Sequence, residues 1–150
     1  MTSAGGEFGD GVIFSIPTTG GTPSVLFSFD GTDGASPAGS LILIGSTLYG
    51  MTSGGGANGD GTIFSVETDG SGFQTLLSFN GTNGSDPLGD LTASGSTLYG
   101  MTSTGGASGD GTVFALALPT PEPSSVALLA LGAIGLGLAA LRGRRPRQTA

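Results

Sequence analysis

The sequence predicts an all-β repeat protein with a single C-terminal transmembrane helix, and three observations carry that reading. The 150-residue chain repeats itself with a period of fifty and no insertions. Within each period, short β-branched and aromatic runs are separated by Gly, Asp, Asn, Ser and Pro, the local grammar of strands joined by tight turns. Near the C-terminus, an uncharged apolar run from Val126 to Leu141 leads into Arg142, Arg144, Arg145 and Arg147, the only basic residues of the chain.

The period is read directly by self-comparison. Met1-Thr2-Ser3 returns at Met51 and at Met101, and Gly9-Asp10-Gly11 returns around Asp60 and Asp110. Phe14 returns as Phe64 and Phe114, and Tyr49 as Tyr99. Residues 1–50 agree with residues 51–100 at 28 of 50 positions, which requires a duplication. In the second period, strands are expected near 61–66, 74–79, 90–93 and 97–101. Residues 68–72 and 80–84 are expected to turn, because Asn, Asp and Gly tolerate positive φ. Four short strands in about fifty residues match one β-propeller blade. The repeat region spans 1–116, with copies over 1–50, 51–100 and 101–116. That is about two and a third blades, and a closed propeller needs at least four, so an incomplete ring is expected.

The phenylalanines Phe14, Phe64 and Phe114 recur at one phase among alternating apolar neighbours. They are expected to be buried between sheets, with Tyr49 and Tyr99 as companion structural positions. Asp10, Asp60 and Asp110 sit in equivalent Gly-Asp-Gly settings and are expected to cap or turn their loops.

Beyond the repeats come a Pro-rich linker (117–123), an apolar helix (124–141) and a basic tail (142–150). Eighteen helical residues reach about 27 Å against a hydrocarbon core of about 30 Å, and flanking arginines snorkel to make up the difference. A core helix of so small a domain would keep a polar face, and this run has none. By the positive-inside rule the arginines stay in the cytoplasm, and residues 1–120 lie across the membrane. Residues 1–30 lack the basic start and continuous apolar core of a secretory signal. The expectation is therefore that Met1 is an internal repeat methionine, with further copies and an export signal upstream.

Pro121-Glu122-Pro123, Ser124-Ser125, the apolar run and the arginines together resemble the PEP-CTERM sorting domain of exported proteins in Gram-negative bacteria. That resemblance implies recognition by exosortase, an integral inner-membrane processing enzyme, and delivery to the cell surface or extracellular matrix. A Leu-Pro-x-Thr-Gly sortase motif starts at Leu118-Pro119-Thr120 and fails at Pro121. Separately, the stretches from Leu48-Tyr49-Gly50 to Phe64 and from Leu98 to Phe114 resemble Gloeo/Verruco (GloVer) repeats. Their pattern is Leu-Tyr-Gly, Thr-Ser, then a glycine-rich stretch ending in Gly-x-Gly-x-h-Phe, where h is apolar. The resemblance covers nearly all of 1–116 and brings no catalytic motif.

Chemistry is sparse. The chain has no histidine, cysteine or lysine, so Ser-His, Cys-His and Ser-Lys nucleophiles cannot be assembled. The recurrent aspartates share one environment, unlike the two dissimilar carboxyls of a glycosidase. No enzyme activity and no cofactor are expected. Asp30, Asp33 and a Gly-Asp-Gly aspartate could offer oxygens to Ca²⁺, but the second copy has Asn80 and Asn83, and ordinary turn chemistry is favoured. Eleven acids, with basic residues confined to the tail, argue against nucleic acid. The expected function is a non-enzymatic structural or binding module of the cell surface or extracellular polymeric matrix. Its expected partners are exosortase, the inner membrane and extracellular polysaccharide. The alternative is a fragment of a larger exported propeller that binds or cleaves polysaccharide.

Overall fold

A computed structural model describes residues 1–119. The sorting triplet Pro121, Glu122 and Pro123, the expected membrane helix and Arg142, Arg144, Arg145 and Arg147 lie outside the described residues. Every regular element among the described residues is a strand. No helix among them is long and apolar enough to cross a membrane.

Nine strands form three antiparallel sheets, none closed on itself. The first sheet pairs β1 (Val12–Ser15) with β2 (Ser24–Ser28). The second holds β3 (Ala35–Ile44), β4 (Thr47–Gly54), β5 (Thr62–Glu67) and β6 (Gln74–Ser78), in that order. The third holds β7 (Thr92–Ser94), β8 (Thr97–Met101) and β9 (Val113–Ala117). The strands expected in the second period agree with β5, β6, β7 and β8 to within two residues. Yet those four do not form one sheet. β5 and β6 complete a sheet begun by β3 and β4 in the preceding period, and β7 and β8 open the next. The reason is local: hairpins at Gly45-Ser46 and Gly95-Ser96 hold their flanking strands together, while the longer 79–91 segment carries the chain to a new sheet.

Each sheet has two apolar faces, as strand alternation requires when both sides are covered. One cluster joins the first and second sheets: Ile13, Phe29, Phe64 and Val66 are buried, with Leu41, Leu48 and Phe73 packed against them. The other joins the second and third: Met51, Ile63, Phe79, Leu91 and Leu98 are buried, with Tyr49, Phe114 and Leu116 against them. One aromatic pair recurs across both interfaces. Phe29 meets Phe64 with ring centroids 5.2 Å apart at 65°, and Phe79 meets Phe114, one period later, at 5.4 Å and 59°. Edge-to-face or tilted rings at this spacing add to what their buried area contributes.

A β-bulge recurs too. Register slips between Ile13 and Phe14, and again between Ile63 and Phe64. The extra residue in the partner strand lets consecutive side chains serve one core, so Leu26 and Phe27 both reach the first cluster and Leu76 and Leu77 the second.

Candidate functional site

The residues that recur at fifty-residue spacing converge at one end of the sheets, where Gly-Asp-Gly loops meet the segments that carry the chain from sheet to sheet. Each Gly-Asp-Gly loop closes on itself. The amides of Gly11, Gly61 and Gly111 donate to the carbonyls of Gly5, Gly55 and Gly105 at 3.0, 3.0 and 2.9 Å. The connector at 29–36 is then tied to the loop before it and the loop after it. Phe29 N–H donates to the Gly11 carbonyl at 3.0 Å and Ser36 N–H to the Asp10 carbonyl at 2.8 Å, while Gly56 N–H donates to the Gly31 carbonyl at 2.9 Å. One period on, Phe79, Asp86 and Gly106 make the same three bonds to Gly61, Asp60 and Gly81.

The aspartates act mainly through their backbone. Asp60 adds a side-chain bond, its Oδ1 accepting from Ser85 Oγ at 2.6 Å. Ala35 stands at the corresponding place in the preceding copy and has no hydroxyl to offer Asp10. Asp110 is exposed and closes its loop by the same parallel bridge to Gly105 that Asp10 makes to Gly5.

The oxygen-rich connector loops behave as turns. Asp30 Oδ1 accepts from the Thr32 hydroxyl at 2.7 Å, from Thr32 N–H at 2.9 Å and from Asp33 N–H at 3.2 Å. The Thr32 hydroxyl first, then the Asp33 amide, hold the Asp30 carboxyl below its usual range, while burial pushes Asp33 up. Asn80 and Asn83 reproduce the reciprocal capping, each amide bonding the other's side-chain oxygen at 2.9 and 3.1 Å. What the two loops share is a side-chain acceptor rather than a charge. Among the described residues, no three acidic, His or Cys side chains are grouped to hold a metal ion.

A buried threonine pair was not legible as such. Thr52 and Thr62 are 0 % exposed, with hydroxyls 2.8 Å apart. Thr62 Oγ1 donates onward to the Asp33 carbonyl at 3.1 Å, fastening connector to sheet. Thr102, Thr112 and the Asn83 carbonyl repeat the arrangement. Hydroxyls can be buried here because each finds a partner; among the described residues no buried side-chain N or O lacks one. Identity at position 2 of all three periods was the signal that could have singled out Thr52 and Thr102.

The phenylalanines fall as their neighbours dictate. Phe64 is fully buried, whereas Phe14 and Phe114, on sheets with fewer strands, are half-buried. Tyr49 is half-buried against the second cluster, and Tyr99 is 42 % exposed. Tyr99 borders a shallow depression of about 200 Å³ on the free face of the third sheet, with Asp90, Thr92, Met101 and Val113.

The two halves of the Leu-Tyr-Gly and Gly-x-Gly-x-h-Phe pattern also meet in space. Gly50 lies opposite Phe64 across β4 and β5, and Gly100 opposite Phe114 across β8 and β9. A Cβ on Gly50 would come within 2.6 Å of Phe64 Cζ, so the glycine leaves the room the ring occupies. The sequence model of the Gloeobacter/Verrucomicrobia repeat matches residues 1–134. The chain belongs to this repeat family. The GloVer match runs past Leu116 and overlaps both Pro121-Glu122-Pro123 and the first part of the apolar run. No curated protein and no solved structure matches the chain.

Proposed function

We propose that this GloVer repeat protein is an exported, surface-directed module. It is held at the inner membrane through its C-terminus, processed there by an exosortase-type enzyme, and used at the cell surface or in the extracellular polymeric matrix as a structural or binding element. The observation that carries the reading is the order of parts at the C-terminus: a Pro-Glu-Pro triplet, an uncharged apolar run and all four arginines of the chain, directly following the repeats. The repeat itself supports a scaffold. Its recurrent Asp, Thr and Asn residues are engaged in tying connectors to loops, and its recurrent Phe, Ile and Met residues in joining sheets. In this reading the sheets are propeller-like blades, and the three here are part of a ring.

Changing Pro121-Glu122-Pro123 to three alanines tests it. Prolines just outside a membrane hold an extended backbone that a protease can read. In a host possessing exosortase, with an export signal supplied, the altered protein should remain full-length in the inner-membrane fraction while the parent is shortened and released. Equal trimming of both would remove the basis for the sorting reading.

A further inference from the structure

The stack of sheets ends in two different unfinished faces, and each is the counterpart of the other. On the second sheet Met51 and Ile63 are 1 % and 0 % exposed beneath the third sheet, whereas one period later Met101 and Val113 are 64 % and 77 % exposed. At the other end, Phe14 is half-buried and Ile16 is 54 % exposed, in the places where Phe64 and Val66 are fully buried against the first sheet. The third sheet therefore presents the apolar set that the second presents to the third. The first sheet presents the outer-strand part of the set that the second presents to it.

We propose that copies of this chain associate head to tail, the Phe14 and Ile16 face of one docking on the Met101 and Val113 face of the next. The template is the sheet-to-sheet interface that the chain builds twice within itself, and the contact between copies continues it by one more step. Such a contact is heterologous: each added copy leaves the same two faces free, so association proceeds until a ring closes or a filament forms. Charge opposes it. Residues 1–119 hold ten acids (Glu7, Asp10, Asp30, Asp33, Asp60, Glu67, Asp69, Asp86, Asp90 and Asp110) and no basic side chain. Added salt screens that repulsion and strengthens apolar contact, so association rises with ionic strength, contrary to an interface held by ion pairs. The proposal rests on the stacking of sheets and is independent of export.

The chain has no cysteine, so introduced thiols report unambiguously. Full-length Ile16→Cys and full-length Met101→Cys, mixed in a mild detergent and treated with a short bis-maleimide, should give chiefly the mixed dimer. Its yield should be higher in about 1 M salt than in about 10 mM. Val113→Asp in the Met101→Cys copy, which places a charge in the contact without disturbing a residue buried in the single chain, should lower the yield about tenfold or more. Same-variant dimers as abundant as the mixed one, or a yield indifferent to Val113→Asp, would overturn the proposal. A single chain carrying Met51→Cys and Leu116→Cys, one period back, checks the stacking itself. If this internal pair links and the mixed pair does not, copies do not associate; if neither links, the stacking and the proposal fall together.

Discussion

Phe64→Ala is expected to destabilise the protein by about 3 to 5 kcal/mol, the usual cost of emptying a buried phenylalanine site. The ring is enclosed on every side. It meets Phe29 at 5.2 Å and Phe73 at 5.6 Å, and Gly50 opposite is shaped to receive it. Removing the ring leaves a cavity between two sheets whose backbones are held by hydrogen-bonded connectors, so collapse around it is restricted. Phe14→Ala removes the same side chain at the same phase, but from a half-buried position on the outer face of the first sheet. Its cost should be well below that of Phe64→Ala. Urea unfolding of the two full-length variants, followed by tyrosine fluorescence, gives the comparison. Equal small shifts would place both rings at the surface.

Gly61→Ala should be similarly severe for a different reason. Gly61 has φ +93°, and a Cβ there would run into the Thr52 carbonyl oxygen and within 2.9 Å of Pro87 Cδ. The backbone strain is worth about 1 to 3 kcal/mol and the overpacking about as much again, so roughly 2 to 6 kcal/mol is lost. Gly59→Ala, two residues earlier in the same loop, separates the contributions. Its φ is +82° but its Cβ would meet nothing within 4 Å, so only the conformational part should appear. The same urea titration measures both, and Gly61→Ala must be the more damaging by more than 1 kcal/mol. This difference accounts for the second glycine of Gly-Asp-Gly in all three copies: Gly11 and Gly111 face the Thr2 and Thr102 carbonyls in the same way.

The all-β character and the strand positions were legible because apolar runs bounded by Asn, Asp and Gly mark a strand by its own residues. The partition into sheets was not. It depends on which strands a short hairpin keeps together, and the period drawn from Met51 cuts through the middle of the second sheet. Phe64 was legible as core from its phase. Half-buried Phe114 follows from the strand count of its own sheet, which a repeat pattern treats as equal to the others. Thr52 and Thr62 escaped notice because threonine in a glycine-rich stretch suggests a solvated turn, and their burial depends on a hydroxyl pair closed by a carbonyl 29 residues away. Ser36 and Asp86 escaped for a related reason. Both adopt positive φ, 52° and 56°, ahead of buried Pro37 and Pro87, where the connector is fastened to the preceding Gly-Asp-Gly loop.

The central claim is that one recurrent side chain is covered or bare according to whether another sheet lies over it, and the methionines test it most directly. The chain has three, at one phase of the repeat, and Met51 is 1 % exposed against 64 % for Met101. Dilute peroxide converts an accessible methionine to its sulfoxide, whereas a buried one must wait for the structure to open. In the Val113→Asp chain, which keeps copies apart, peptide mass spectrometry over a time course should show Met101 oxidising rapidly and Met51 slower by about tenfold or more. Equal rates at Met51 and Met101 under native conditions would contradict the stacked arrangement.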